Sequence, residues 1–494
     1  MSALFDLIVI GGGVNGAGIA RDAAGRGARV LLLEARDLAN GTSSASTKLV
    51  HGGLRYLEYR EFALVREALH ERETLWRIAP HIVRPMRFVL PHAPGLRPRW
   101  MLRAGLLLYD LLAGRSAWPR ARAIRLPVHP AGAALDPALT HGFEYSDGWV
   151  DDARLVVLNA LDAAERGAEI RTRTPATAAR RARDGDGDHW VVDTPAGAFR
   201  GRALVNAGGP GADDVAWLAG IDPPFSLRRV RGSHIVVPRL FDHPYAYIFQ
   251  QPDTRIVFAI PYERDFTLIG TTDRDHTGSL ADVHADAGEV AYLCAAASRY
   301  FRQAIAPGDV VWSYSGVRAL VDDGSGRPEA ATRGYRLPLS PPGEGAPLLD
   351  VYGGKITSYR HLSESAADLL ATRLPELAGG AWTAHAPLPG GDFPAGTLDA
   401  LSGSLQAEYG FLDQTQATRI ARAYGTRAGR WLGQARSRGD LGRDFGAGLS
   451  EAEVAYLRDT EWARTADDVL WRRSKLGLHM TPAERQGVAA YLGE

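Results

Sequence analysis

The run Leu7 to Glu34, LIVIGGGVNGAGIARDAAGRGARVLLLE, leaves this chain few architectures to choose from. Leu7-Ile8-Val9-Ile10 is short, apolar and β-branched, as a strand buried on both faces should be. It runs into Gly11-Gly12-Gly13-Val14-Asn15-Gly16, which satisfies G-x-G-x-x-G through Gly11, Gly13 and Gly16. A helical stretch follows, then a second apolar strand, Arg29 to Leu33, ending at Glu34. Strand, glycines, helix, strand and acid in this order specify a βαβ unit for a dinucleotide. Gly11 makes the tight turn, Gly13 lets backbone approach a pyrophosphate, and Gly16 allows close helix–strand packing. The helix N-terminus offers N–H groups to the phosphates, and Glu34 is placed for the adenosine ribose hydroxyls. The motif leaves NAD and FAD both open.

Further along, Ala39 to Lys48 (ANGTSSASTK) is a hydroxyl-rich segment that by composition alone reads as a flexible loop. Leu49 to Glu58 combines His51, Gly52, Gly53 and Arg55, which suggests backbone and charge brought close to a ligand. A surface helix is expected from Phe62 to Ala79, stopped by Pro80. Arg99 to Gly114 reads as a buried core helix; its basic flanks (Arg97, Arg99, Arg103, Arg115, Arg120, Arg122) leave membrane contact as the other reading. A helix over Asp151 to Arg166 and strands over Trp190 to Thr194 and Phe199 to Val205 precede the turn Asn206-Ala207-Gly208-Gly209-Pro210-Gly211. That turn suggests a return to the cofactor sheet. From Arg228 to about Leu339, short strands at 233–237, 255–260, 267–270 and 310–315 predict a second, mixed or antiparallel sheet. Leu348 to Lys355 then repeats strand and glycines before a helix over about Thr357 to Leu374. Pro387 to Gly396 marks a linker, and the chain beyond it is helical, with Trp431, Trp462 and Trp471 as core anchors.

Composition narrows the class. With 45% apolar and 23% charged residues, the chain is an ordinary globular protein. Its 57 Lys plus Arg balance 57 Asp plus Glu, so no global field draws it to nucleic acid, and any anion site must be local. Cys294, the single cysteine, excludes an intrachain disulfide and a cysteine-ligated cluster. No metal site is expected. Nothing before the first strand reads as a secretory signal, and no apolar run is long enough to span a bilayer.

Taken together, the motifs resemble the FAD-dependent, aerobic respiratory glycerol-3-phosphate dehydrogenases over nearly the whole chain. The marks are GGGVNGAGIARDAAGRG, TSSASTKLVHGGLRYLE, GFEYSDGWVDDARL, RGSHIVVPR, IGTTD, WSYSGVRAL, GGKITSYR and DDVLWRRSKLG, in the family's order. Gly208 departs from it, standing where a larger residue is expected. The resemblance implies an α/β (α+β multidomain) fold. Its parts are a Rossmann-like FAD-binding domain of the glutathione-reductase/D-amino-acid-oxidase type (1–80, 142–225, 345–380), a mixed β-sheet substrate domain (81–141, 226–344), a linker (381–396) and an all-helical C-terminal domain (397–494). It implies oxidation of sn-glycerol 3-phosphate to dihydroxyacetone phosphate by hydride transfer from C2 to N5 of non-covalent FAD, with electrons passed to membrane quinone.

By family position, Gly11, Gly13, Asn15, Gly16 and Glu34 hold the ADP half of FAD. Thr42, Ser43, Ser46 and Lys48 line its pyrophosphate, ribityl or flavin edge, with Gly209, Gly354, Lys355 and Thr357 at further turns. Arg55, Arg318 and Arg333 form an anion pocket, Lys355 lies at the flavin and substrate, and Tyr56 and Thr271 add hydrogen bonds. Guanidinium forks suit a phosphate dianion. His234 is the expected base, with an arginine-assisted mechanism using water as the alternative. The catalytic set is His234, Arg318 and Arg55. A homodimer, peripheral at the inner face of the cytoplasmic membrane, is the family expectation. Competing readings are an oxygen-using glycerol-phosphate oxidase, an amine or amino-acid oxidase, and a non-catalytic FAD-binding protein.

Overall fold

The computed structural model describes residues 4–93, 95, 97–322 and 334–494. Two sheets organise it. In the first, β1 (Leu4–Ile10) lies between β2 (Val30–Leu33) and the strand Gly197–Asn206, parallel to both. Glu169–Arg171 extends the sheet parallel to β2; Gly187–Thr194 and Ala178–Asp184 extend the other side antiparallel. Leu348–Asp350 returns to pair parallel with Gly197–Asn206. Leu7, Ile8 and Val9 are fully buried, as the apolar run required. The helix α1 (Val14–Gly25) packs on helices Asp152–Glu165 and Tyr359–Ala371, and its buried Ala17, Ala20 and Ala23 keep the approach close.

The second sheet runs Arg274–Asp275, Leu227–Pro238, Phe266–Gly270, Ile256–Tyr262, Ala246–Gln250, Val83–Pro91, His141–Val150, Leu49–Val50. It is antiparallel except where Ala246–Gln250 lies parallel to Val83–Pro91. Trp312–Val321 pairs with Leu227–Pro238 over ten positions, which lengthens both beyond the strands expected at 310–315 and 233–237. The expected boundary at 142 shifts too. His141–Val150 pairs with Val83–Pro91 and belongs to this sheet, so the chain returns to the first layer only with the helix from Asp152. Cross-strand pairing, which a local pattern cannot reveal, decides both differences.

The Arg99–Ala113 helix forms, but it is not a core helix. Leu102, Leu106, Tyr109 and Ala113 face inward, whereas Trp100, Leu107 and Leu111 are 72%, 61% and 66% exposed. The C-terminal helices Leu398–Glu408, Gln414–Tyr424, Glu451–Thr460 and Pro482–Leu492 enclose their own core, which includes Trp431. Trp471 sits at that core's rim and stacks on Trp312 at 4.6 Å, and Trp462 packs against the first domain. The linker is anchored: Leu388 is buried in the first domain's core.

Buried ion pairs fasten the helical domain to the rest. Arg154, on the first-domain helix, donates from Nη2 to Glu461 Oε1 at 3.0 Å and also pairs through Nη1, both side chains being fully buried. Arg473 donates from Nη2 to Asp37 Oδ1 at 2.8 Å. Breaking one half of such a pair strands a charge away from water, so Glu461→Leu should cost about 3–5 kcal/mol. Urea unfolding followed by tryptophan fluorescence measures this, and Arg154→Met in the same chain should restore most of the loss.

Candidate active site

Three glycine turns meet at the carboxyl ends of adjacent strands of the first sheet, where open α/β sheets bind ligands. At the first, Gly11 has φ +114°, and a Cβ there would lie 2.4 Å from Ala207 O. A Cβ on Gly16 would lie 1.9 Å from Gly11 O. Gly13 is the N-cap of α1, and no side chain caps it. Glu34 Oε2 accepts from Gly12 N at 2.6 Å and Oε1 from Arg36 N at 2.8 Å. Burial raises the Glu34 pKa, against the pull of those two backbone donors. Gly12, outside the G-x-G-x-x-G positions, matters as much as its neighbours: a Cβ on it would sit 2.9 Å from Glu34 Oε2. The unbroken Gly11-Gly12-Gly13 triplet was the available signal.

The second turn, with Gly209 at φ +58°, follows Gly197–Asn206 and stays in line because Ala207 N donates to Ile10 O at 2.9 Å. Here Gly208 is closely surrounded, its Cβ position 3.1 Å from Val215 Cγ2. The third turn joins the first through Asn15, whose Nδ2 donates to Gly353 O at 3.3 Å. Gly354 (φ +89°) abuts the same amide, and Asn15 Oδ1 is buried without a hydrogen-bond partner among the described residues. Thr357 is buried and accepts from His51 N at 3.2 Å, which draws the His-Gly-Gly segment onto this turn.

The hydroxyl-rich segment is tied down rather than flexible. Thr42 Oγ1 donates to Val317 O at 2.5 Å, and Ser43 Oγ accepts from Val14 N at 3.0 Å. Ser46 Oγ donates to Asp152 Oδ2 at 2.7 Å, and Lys48 Nζ to Asp152 Oδ1 at 2.8 Å. Lys48 is 1% exposed and props the loop from beneath, its Nζ also donating to Ser44 O at 3.1 Å. Burial lowers its pKa, opposed by Asp152. The desolvated ammonium needs that carboxylate more than an open cleft could offer.

On the second sheet, Arg318 donates from Nη2 to Thr271 Oγ1 at 2.9 Å, and its Nη1 pairs with Asp273. Sequence reading passed over Asp273, although it closes the quoted IGTTD. It also passed over two glycines that make room. A Cβ on Gly232 would lie 2.5 Å from Arg318 Nη2, and one on Gly270 2.0 Å from His234 Cδ2. His234 stacks on Tyr314 at 4.9 Å, and its Nε2 is 2.9 Å from Thr47 Oγ1. Its Nδ1 is buried without a hydrogen-bond partner among the described residues, and the residue is 1% exposed. Burial, then Arg318 and Lys48, hold its pKa well below the ordinary value, so the imidazole is neutral near pH 7.

The remaining expected residues form a second group. Gly53 (φ +75°) starts the tight turn Leu54–Tyr59, and Lys355 Nζ lies 3.8 Å from the centre of the Tyr56 ring. Arg55 reaches Tyr59 OH at 3.5 Å. Arg333 lies outside the described residues. The structure thus brings together His234, Thr271 and Arg318, and separately Tyr56 and Lys355. Both groups attach to the 42–51 segment, the first through Thr42 and Thr47, the second through His51.

This geometry has counterparts. The family model described as FAD dependent oxidoreductase matches residues 6–337, and that described as the C-terminal domain of alpha-glycerophosphate oxidase matches residues 381–491. The chain is 50% identical to a D-erythritol 1-phosphate dehydrogenase of Brucella abortus (strain 2308), covering 97% of this chain and 96% of the other. It is 48% identical to the aerobic glycerol-3-phosphate dehydrogenase of Escherichia coli (strain K12), covering 99% and 97%. A crystal structure of glycerol-3-phosphate dehydrogenase from Bacillus halodurans complexed with FAD superposes with a TM-score of 0.74 at 26% identity, covering 99% and 94%.

FAD is the cofactor these comparisons show, and the glycine turns fit an extended dinucleotide, since Cβ atoms on Gly11, Gly16 and Gly354 would collide with the neighbouring turns and force them apart. Gly12→Ala should push Glu34 aside and weaken FAD binding about 10-fold, the scale of one overpacked methyl. Gly41, which has nothing within 4 Å of its Cβ position, gives a control in Gly41→Ala. The ratio of flavin to protein absorbance after gel filtration reads both.

Proposed function

Because the chain belongs to the FAD-dependent glycerol-3-phosphate dehydrogenase family, we propose that it oxidises sn-glycerol 3-phosphate to dihydroxyacetone phosphate and passes the electrons to membrane quinone. The observation that carries the substrate is Arg318, set between Thr271 and Asp273 beside a neutral histidine. When bound, FAD supplies the acceptor for a hydride from C2. The protein's own residues do the rest. Arg318 offers its guanidinium to the phosphate dianion while Asp273 fixes the direction of the fork. Lys355 and Tyr56 hold further charge and hydrogen-bonding capacity at the Gly353–Gly354 turn. His234, neutral and held through Nε2 by Thr47 Oγ1, is the base for the C2 hydroxyl proton.

A second reading has one specific observation behind it, the 50% identity to a D-erythritol 1-phosphate dehydrogenase. Both substrates are polyol phosphates and call on the same arginine. Anaerobic flavin bleaching by each, at equal concentration, ranks them. Hydrogen peroxide yield against quinone reduction separates the dehydrogenase from an oxidase.

Arg318→Ala should raise the dissociation constant for glycerol 3-phosphate about 100-fold, as expected when one partner of a desolvated charge pair is truncated. It should leave the weak binding of glycerol unchanged; a wild-type ratio of the two would refute the phosphate role. His234→Ala should slow stopped-flow flavin reduction with little loss of binding. The pH dependence has a definite sign. The competent imidazole is neutral and its pKa is lowered, so the rate should hold as pH falls through about 6.5, a free imidazole's pKa, and decline only below.

For quinone access we propose a monotopic association at the inner face of the cytoplasmic membrane, since no helix among the described residues is long and apolar enough to cross one. Exposed Trp100, Leu107 and Leu111, flanked by Arg97, Arg99, Arg103, Arg115, Arg120 and Arg122, support the Arg99–Ala113 helix as the contact. Replacing the three apolar residues by Ser should shift the protein from pellet to supernatant in low-salt sedimentation with anionic vesicles. Equal sedimentation would remove this helix as the contact.

A further inference from the structure

Behind the Arg318 cluster lies a buried carboxylate with no role in the reading above. Glu289 stands in the first turn of the helix Ala287–Ser298 and is 2% exposed. Its Oε2 accepts from Asp286 N at 3.2 Å, completing a capping box, and lies 2.6 Å from Arg231 Nη2. A capping box needs no more than that. Yet Oε1 takes two further donors, Ser233 Oγ at 3.0 Å and Thr272 Oγ1 at 2.7 Å, both from fully buried residues. Thr272 Oγ1 in turn accepts from Ser233 N at 3.0 Å.

The positions of those two donors give the arrangement its meaning. Along extended chain, successive side chains face opposite ways. Thr272 turns to Glu289, while Thr271 and Asp273 on either side of it turn to Arg318. Ser233 also turns to Glu289; its neighbours Gly232 and His234 face the other way, Gly232 leaving the space that Arg318 and Thr271 fill. One carboxylate therefore grips, from behind, both segments whose front faces carry the cluster.

We infer that Glu289 is a positioning residue that sets the distance between His234 and the Thr271–Arg318–Asp273 group, and through it the recognition of the substrate's phosphate. The inference rests on the polyol-phosphate reading. A carboxylate suits the task because it accepts several hydrogen bonds at once. Glu289→Gln removes the charge that pairs with Arg231, and an amide NH2 turned to the two hydroxyls makes both accept where they now donate, Thr272 Oγ1 while it already accepts from Ser233 N, which weakens the grip.

The test uses the full-length, FAD-loaded protein. Inorganic phosphate is titrated by its perturbation of the flavin spectrum, and flavin reduction by glycerol 3-phosphate is followed by stopped flow. Thr272→Val and Glu289→Gln should each weaken phosphate binding and slow reduction at saturation by about 10-fold, the scale of one buried hydrogen bond to a charged group. Thr272→Ser, which keeps the hydroxyl, should return both to near wild type. Ser298→Ala, which removes a hydroxyl bonded to Cys294 O at the far end of the same helix, should lower Tm without moving either constant. If the Val and Gln variants lower Tm but keep wild-type phosphate binding and reduction rates, Glu289 is merely structural and the inference falls. If no polyol phosphate reduces the wild type, the functional reading falls instead, and the phosphate titrations still decide about Glu289.

Discussion

The arrangement turns on the buried pair of Lys48 and Asp152. Asp152 begins the helix that packs against α1, and its carboxylate takes the Lys48 ammonium at 2.8 Å and the Ser46 hydroxyl at 2.7 Å. The hydroxyl-rich loop is thereby fixed to the first domain. The same loop meets the second sheet through Thr42 to Val317, Thr47 to His234 and Ser46 O to Tyr314 OH. The pair thus adds a buried anchor to the contact that Ser43 already makes with Val14 N at the first glycine turn. A buried ion pair of this kind adds little net stability, because desolvation offsets most of the attraction. Its value here is registry, since both side chains are buried and each is held by the other at 2.8 Å.

The helical C-terminal domain extends the same logic. Lys475 lies 3.6 Å from Asp151, next to Asp152 in sequence, and Arg472 and Arg473 both hold Asp37, three residues after Glu34. The domain that contributes no strand to either sheet therefore steadies both the segment after Glu34 and the start of the helix that anchors the hydroxyl-rich loop. An overall charge balance of 57 against 57 is met inside the molecule by pairs such as these.

Much of this was legible in the chain. The βαβ unit could be read because its determinants are local: a four-residue apolar run, glycines at fixed spacing and an acid after the second strand. The return turns at Gly209 and Gly354 were visible for the same reason. The arginine set was not legible one residue at a time, since an isolated arginine in a sequence carries no partner with it. Only the long shared motifs singled out Arg318; Asp273 stood in one of them without a role, and Glu289 stood in none. Lys48 shows the same limit, because its buried partner Asp152 lies 104 residues further along the chain.

By itself, the sequence determined the first sheet, the glycine turns at its strand ends and the separation of a helical C-terminal part, because hydrophobic period and glycine spacing act over a few residues. Tertiary structure decided which sheet received His141–Val150, which face of the Arg99–Ala113 helix stayed exposed, and which carboxylate met which cation. Those outcomes depend on pairing and desolvation between segments up to 436 residues apart, as in the Arg473–Asp37 pair, and no local pattern encodes them.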